Sequence, residues 1–401
     1  MEILFISHCV PGPPEKGEKI RAYFELQYLA AKYRVHLACF ARSESEVEWA
    51  RTLTDRCASV YVELLRSGPG LARAAARFAI GNSLTASFYS SAGMRRHAMS
   101  VARQPIVATV AYSSVMAQYA PSGVPLVLDM VDVDSEKWLQ YGEIRRVGWL
   151  YRREGRRIRR LEQCYAQRAD LNLVATRNER SILQQEAPKA IVQYMENGVD
   201  LDYFRPLASW SLPELEGRRF VVFVGAMDYY PNADAACRFA TRVLPVLRQT
   251  DPELEFLIGG RNPSRTVRRC SSIAGVTVTG EVADVRPYLA QSRAVVAPLR
   301  IARGIQNKVL EALAMGKPVL ASPEVCRTLA YPLPPGVQEC ASEEEYIRVL
   351  ADLDVVQVDP AGLRHYVEER FCWQRNVQTL LQAVENCIGG GKKTACASQV
   401  Y

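Results

Sequence analysis

At 401 residues the chain is long for one hydrophobic core and suits two domains of ordinary size. It is 48% hydrophobic and 23% charged, with a formal net charge of +7, a globular balance that excludes a disordered chain. No apolar run approaches the ~20 residues of a membrane-spanning helix. Glu2 stands where a signal peptide carries its basic start, so a cytoplasmic protein is expected. The eleven cysteines and four histidines fall into no metal-ligand spacing, and there is no Ser-His-Asp pattern or Walker loop. Reduced thiols, no metal site and no cofactor are the expectations.

Ile3 to Ser7 reads as the first strand, followed by a glycine-proline loop and a helix carrying Ile20, Phe24, Tyr28 and Leu29. Gly17 is the glycine in that loop best placed for close approach to a phosphate or sugar, with Lys19 and Arg21 beside it. Further strands are expected at Val35 to Phe40, Ser59 to Leu64, Ile106 to Ala111 and Leu126 to Asp129, with helices near Glu44 to Arg56 and Leu71 to Ile80. Such alternation argues a parallel, doubly wound sheet. After the strand ending at Asp129, Asp134 or Ser135 reads as a helix cap, Asp134 being favoured, and Asp132 as a candidate on the acceptor side. The next helix is the most basic part of the chain: Arg145, Arg146, Arg152, Arg153, Arg156, Arg157, Arg159 and Arg160 interleave with Trp149, Leu150 and Tyr151. An anionic membrane surface is its first expected partner, a solvated face the second and nucleic acid the last.

Strands at Leu171 to Ala175 and Ile191 to Met195 close the first half. Asn197-Gly-Val-Asp-Leu-Asp-Tyr-Phe-Arg-Pro206 follows, a turn signal ending at a boundary proline. The second half restarts with strands at Phe220 to Val224, Glu255 to Ile258, Val276 to Val278, Ala294 to Ala297 and Val319 to Ala321. Gly225 follows the first of these, and Gly259-Gly260-Arg261 follows the second, where backbone could meet a nucleotide base. Between the last two strands, Gly304 is expected to open a helix with apolar positions Ile305, Val309, Leu310, Leu313 and Ala314. Its free amides and dipole, with Arg300 before it and Lys308 within, suit a diphosphate. Glu311, at i+3 from Lys308, suits the paired hydroxyls of a ribose. Ala361 to Cys387 reads as helical, and the tail from Gly389 as flexible.

The string Gly304-x3-Lys308-x2-Glu311-Ala-x-Ala-x-Gly316-x-Pro318-Val resembles the donor-site helix of the glycosyltransferase group 1 (family four) enzymes. The Asn197–Pro206 string is similar to the linker signature of the same family. That resemblance implies an α/β GT-B fold: two Rossmann-like domains with parallel sheets facing a cleft, and a C-terminal helix crossing back to the first. The implied domains are 1–205 with a returning helix at about 366–388, 206–365 for the nucleotide-sugar donor, and a tail at 389–401.

The resemblance further implies a retaining sugar transfer from a nucleotide diphosphate sugar to a glycan or lipid-linked hydroxyl. Arg300, Lys308 and Glu311 would carry the reaction. Gly17, Gly225, Gly260, Arg261, Gly304, Ile305 and Asn307 would line the donor, and Lys19, Arg21, Asp132, Asn197 and Gly198 the acceptor side. Tyr112-Ser-Ser, Asp132-Val-Asp-Ser-Glu-Lys-Trp138, Met227-Asp-Tyr-x-Pro-Asn232 and Gly304-Ile-Gln-Asn-Lys308 are most similar to the sugar transferases of bacterial exopolysaccharide synthesis associated with the exosortase/PEP-CTERM system. Two departures stand out. Arg303 occupies the position where many members carry a glutamate against the donor sugar, and the Arg and Lys that follow the Phe220–Val224 strand in many relatives are absent. A nucleotide-sugar 2-epimerase on the same fold and a non-catalytic nucleotide-binding partner in a polysaccharide assembly are the alternatives.

Overall fold

The computed structural model describes residues 1–12, 17–144, 147–207, 209–302, 304–329, 331–334, 336–352 and 358–389. The chain divides into two compact units. One is Met1–Glu196 joined by the chain from Gln374, and the other is Asn197–Trp373.

In the first unit, β1 (Glu2–Ser7), β2 (Arg34–Ala41), β3 (Ser59–Leu64), β4 (Ile106–Tyr112), β5 (Leu126–Val131), β6 (Leu171–Val174) and β7 (Val192–Tyr194) form one parallel sheet. The strand order is β3-β2-β1-β4-β5-β6-β7. Helices cover both faces, which is why central strands such as Ile3 to Ile6 and Leu37 to Ala41 read as unbroken apolar runs. The order reverses between β1 and β4, and such a switch point opens a crevice beyond the carboxyl ends of the strands. The C-terminal helix Gln378–Ile388 packs onto β4, β5 and β6 of this sheet through Leu380, Leu381, Ala383 and Val384.

The second unit holds β8 (Arg219–Val224), β9 (Leu254–Gly259), β10 (Val276–Gly280), β11 (Ala294–Ala297), β12 (Val319–Ala321) and β13 (Val337–Glu339). They form a six-stranded parallel sheet in the order β10-β9-β8-β11-β12-β13, whose switch point lies between β8 and β11. Gly225 and the residues from Pro298 follow the carboxyl ends of these two strands.

Three expectations shift. The units part at Glu196/Asn197 and at Trp373/Gln374, so the Asn197–Pro206 string lies wholly in the second unit. Its hold there is physical: Val199 N donates to Phe371 O at 2.9 Å, and Arg364 donates to the carbonyls of Leu201, Phe204 and Ala314 at 3.0, 2.7 and 3.0 Å. The Pro360–Arg370 helix therefore stays with the second unit, and the chain from Gln374, with the Gln378–Ile388 helix, joins the first. The expected tail lies, beyond Gly389, outside the described residues. Finally, the donor-site helix runs Asn307–Ala314 and does not open at Gly304. Gly304 has φ +62°, a left-handed conformation that redirects the chain before the helix can begin.

Candidate nucleotide site

The loops after β8, β9 and β10 are stitched to one another by backbone. Gly225 N donates to Gly259 O at 3.0 Å, Gly260 N to Gly280 O at 2.8 Å, and Met227 N to Arg261 O at 3.0 Å. Gly260 has φ +142°, and a Cβ there would lie 1.7 Å from Gly225 O, so only glycine allows the stitch. A Cβ on Gly225 would lie 2.7 Å from Asn232 Nδ2 and 3.1 Å from Lys308 Nζ. The backbone after β8 thus runs directly past the Lys308 ammonium.

Lys308 gets there from the Asn307–Ala314 helix. Val309, Leu310, Leu313 and Ala314 bury one face of that helix in the core of the second unit, leaving Lys308 and Glu311 half-buried together. Lys308 Nζ donates to Asn232 Oδ1 at 2.7 Å and lies 4.2 Å from the centre of the Phe223 ring. Asn232 is fixed in turn by donating from Nδ2 to Ala226 O at 3.0 Å. Burial lowers the Lys308 pKa to about 7, with Glu311 opposing the shift. Burial raises Glu311 to about 7, with Lys308 opposing it. An ammonium with three donors and one protein acceptor has donors left for an anion. Asn232 was not among the residues expected at the site; its signals were its place at the end of the Met227–Asn232 motif and in the stretch where an Arg and a Lys were missing.

Arg300 goes elsewhere. Its guanidinium forms a two-point pair with Asp234, Nη2 to Oδ1 at 2.7 Å and Nε to Oδ2 at 3.0 Å, and its side chain is 52% exposed. That bond raises its pKa further. Arg300 lines a cavity of about 220 Å³ with Arg238, Ser322, Glu343 and Tyr346, whose lining does not include Lys308. Asn232 and Asp234 sit two apart on the Tyr230–Arg238 helix, ~200° around its axis. The two cations expected on one diphosphate are therefore held by two residues of one helix, Lys308 by Asn232 and Arg300 by Asp234.

Other expected donor residues divide as well. Ile305 is buried in the core and belongs to packing, which corrects its place among the donor contacts. Asn307 accepts from Asn197 Nδ2 at 3.3 Å, across 110 residues of sequence, while its own Nδ2 is buried with no hydrogen-bond partner. The linker string and the donor-site helix therefore meet. Gly198 packs under Trp373, whose ring would be 2.7 Å from an added Cβ, so a packing requirement accounts for it. Arg303 lies outside the described residues.

In the first unit, Gly17 is the first residue of the Gly17–Lys32 helix, and the loop at 13–16 lies outside the described residues. Lys19 is buried and pairs with Glu46 at 2.8 Å. Arg21, 1% exposed, bonds Asp129 through Nε at 2.6 Å and Nη2 at 3.1 Å, Glu25 at 3.2 Å, and the Met195 carbonyl at 2.6 Å. Both cations are committed to internal acids, which corrects the expectation that they face an acceptor. Burial holds the Glu25 carboxyl well above its ordinary range. Asp132 is half-buried beyond β5, beside Val131 at φ +66°. Ser113, φ +81°, strains the end of neighbouring β4. The cap expected from Asp134 is supplied from other helices: Glu179 accepts from Val133 N at 2.7 Å and Glu162 from Ser135 N at 3.2 Å. Burial lifts Glu162 to about 8.

Residues 218–340, all within the second unit, match the family model described as Glycosyl transferases group 1. Among curated proteins no sequence match was found. Among solved structures, the chain is similar to sucrose-phosphate synthase from Thermosynechococcus elongatus, at 14% identity and a TM-score of 0.70 over 97% of this chain and 100% of that one. It is similar to Anabaena Alr3699/HepE in complex with UDP, at 13% identity and a TM-score of 0.68 over 96% and 100%. A glycosyltransferase from Rickettsia africae gives 11% identity and a TM-score of 0.64 over 97% and 99%. These likenesses show a GT-B fold of two Rossmann-like units. No helix among the described residues is long and apolar enough to cross a membrane.

Proposed function

We propose that this chain, with its glycosyltransferase group 1 domain, moves a sugar from a nucleotide diphosphate sugar to a hydroxyl acceptor with retention of configuration. The observation that carries the reading is the placement of the Lys308 ammonium against the backbone after β8, held by Asn232, with Glu311 on the same helix. HepE, similar in fold, binds UDP and UDP-glucose.

As the glycosidic bond breaks, negative charge collects on the leaving diphosphate. Lys308 and the free amides at the start of the Asn307–Ala314 helix would stabilise it where it forms, each donor contributing about 3 kcal/mol. Glu311 would accept from the ribose hydroxyls and orient the nucleotide. With the Arg and Lys expected after β8 absent, more of the diphosphate work falls to Lys308, whose ammonium lies against that backbone, and to Arg300. A growing glycan or a lipid-linked sugar of bacterial exopolysaccharide synthesis is the proposed acceptor, as the resemblance of the motifs implies. Lys308→Ala is expected to remove nearly all transfer from the donor sugar while leaving the circular dichroism spectrum unchanged. Turnover within a few-fold of wild type would contradict the reading.

A further inference from the structure

The Ser67–Ala79 helix carries an outward face that the fold of its own unit does not cover. Ala74 and Phe78 are its buried side. Two adjacent rows point outward, Leu71, Ala75 and Ala79, and Ala72, Ala76 and Ile80, the last being the C-cap. Leu71 is 55% exposed and Ile80 79%. The helix contains no acidic residue. A solvent-facing helix ordinarily places charged and polar groups on that side. Arg73 and Arg77 are drawn to the flank, where they donate to Ser90 O and Oγ at 3.0 and 2.9 Å.

The end of this helix meets the basic Gly148–Arg168 helix. Arg157 lies 4.4 Å over the Phe78 ring and donates to the carbonyls of Phe78 and Asn82 at 2.7 and 2.8 Å, and Arg153 covers the same ring at 5.0 Å. One turn before Arg153, on the same face, is Trp149, 59% exposed, with Val147 and Leu150 also exposed beside it. Arg152, Arg156 and Arg160 continue as an exposed row at helical spacing. Of these, Arg156 and Arg160 make no hydrogen bond or ion pair among the described residues.

We propose that these two helices form one docking face for an anionic lipid bilayer, the apolar rows and Trp149 entering the headgroup boundary and the arginines meeting lipid phosphates. Apolar side chains beside unpaired arginines match that boundary. A second copy of the chain would set the same arginine rows against each other, and a nucleic-acid backbone offers nothing to the Leu71–Ile80 face. The sequence pointed to the arginine helix alone; the apolar helix beside it turns a charged stripe into an amphipathic surface. The proposal is independent of the nucleotide site.

Co-sedimentation of the full chain with vesicles tests it. Vesicles mixing phosphatidylcholine with phosphatidylglycerol should pellet the protein, and phosphatidylcholine alone should not. Ile80→Glu and Trp149→Glu should each abolish pelleting with the circular dichroism spectrum unchanged, and Arg156→Gln and Arg160→Gln should each lower partitioning about five-fold. Equal or absent pelleting with both vesicle types, or full partitioning by Ile80→Glu, would overturn the proposal. Tighter binding to duplex DNA than to the mixed vesicles, unaffected by Ile80→Glu, would overturn it in favour of nucleic acid.

Discussion

Lys308 and Glu311 are one turn apart, and burial drives each toward its neutral form, to about 7 in both cases. A nucleoside diphosphate should return both to their charged forms: phosphate oxygens favour the ammonium and ribose hydroxyls favour the carboxylate. Above pH 7 binding should take up a proton at Lys308, and below pH 7 it should release one from Glu311. Affinity should therefore rise with pH to about 7 and fall beyond it. Calorimetry in buffers of different ionisation enthalpy measures this exchange, and a proton count of one sign across that range would contradict it. The same shifts oppose folding of the free protein. The lowered Lys308 pKa costs stability in full below about 7 and nothing above its ordinary 10.5. The raised Glu311 pKa costs stability in full above about 7 and nothing below 4.5. Lys308→Met combined with Glu311→Gln should accordingly raise the melting temperature at pH 7 while removing nucleotide binding. A lower melting temperature would show that the pair stabilises the fold.

At the scale of elements, the central strands were legible because helices bury them on both faces and their residues read as apolar runs. β13 was not, since Val337-Gln-Glu is too short and too polar for such a signal. The helix carrying Lys308 and Glu311 was legible from its apolar spacing, but its start was misplaced by three residues because Gly304 marks a left-handed bend there. The partners of Arg300, Lys19 and Arg21 were invisible in sequence: Asp234, Glu46 and Asp129 lie 66, 27 and 108 residues away, and only the folded sheet brings them close. The stitch between the β8 and β9 loops yields an element-level prediction. Gly260→Ala forces a side chain against Gly225 O and should destabilise the second unit by more than about 1 kcal/mol. Gly217→Ala, also at positive φ but with open space around it, should cost less. Urea denaturation of the two variants makes the comparison, and equal losses would remove the contact from the account.

Over the whole molecule, sequence and structure agree on two units of parallel α/β architecture. The charge distribution then separates the roles of its arginines. Some are spent inside the fold, as Arg21 is on Asp129 and Arg364 on three carbonyls; others, such as Arg156 and Arg160, remain on the surface. That distinction could not be drawn from composition, because a net charge of +7 does not say which cations already have partners. Titration calorimetry of uridine, guanosine and adenosine diphosphates at pH 7, on the wild type and on Lys308→Ala, tests the nucleotide site most directly. At least one diphosphate should bind the wild type, and Lys308→Ala should weaken that binding by about tenfold or more. Binding of none of the three, or equal binding by the two proteins, would contradict a diphosphate site at Lys308.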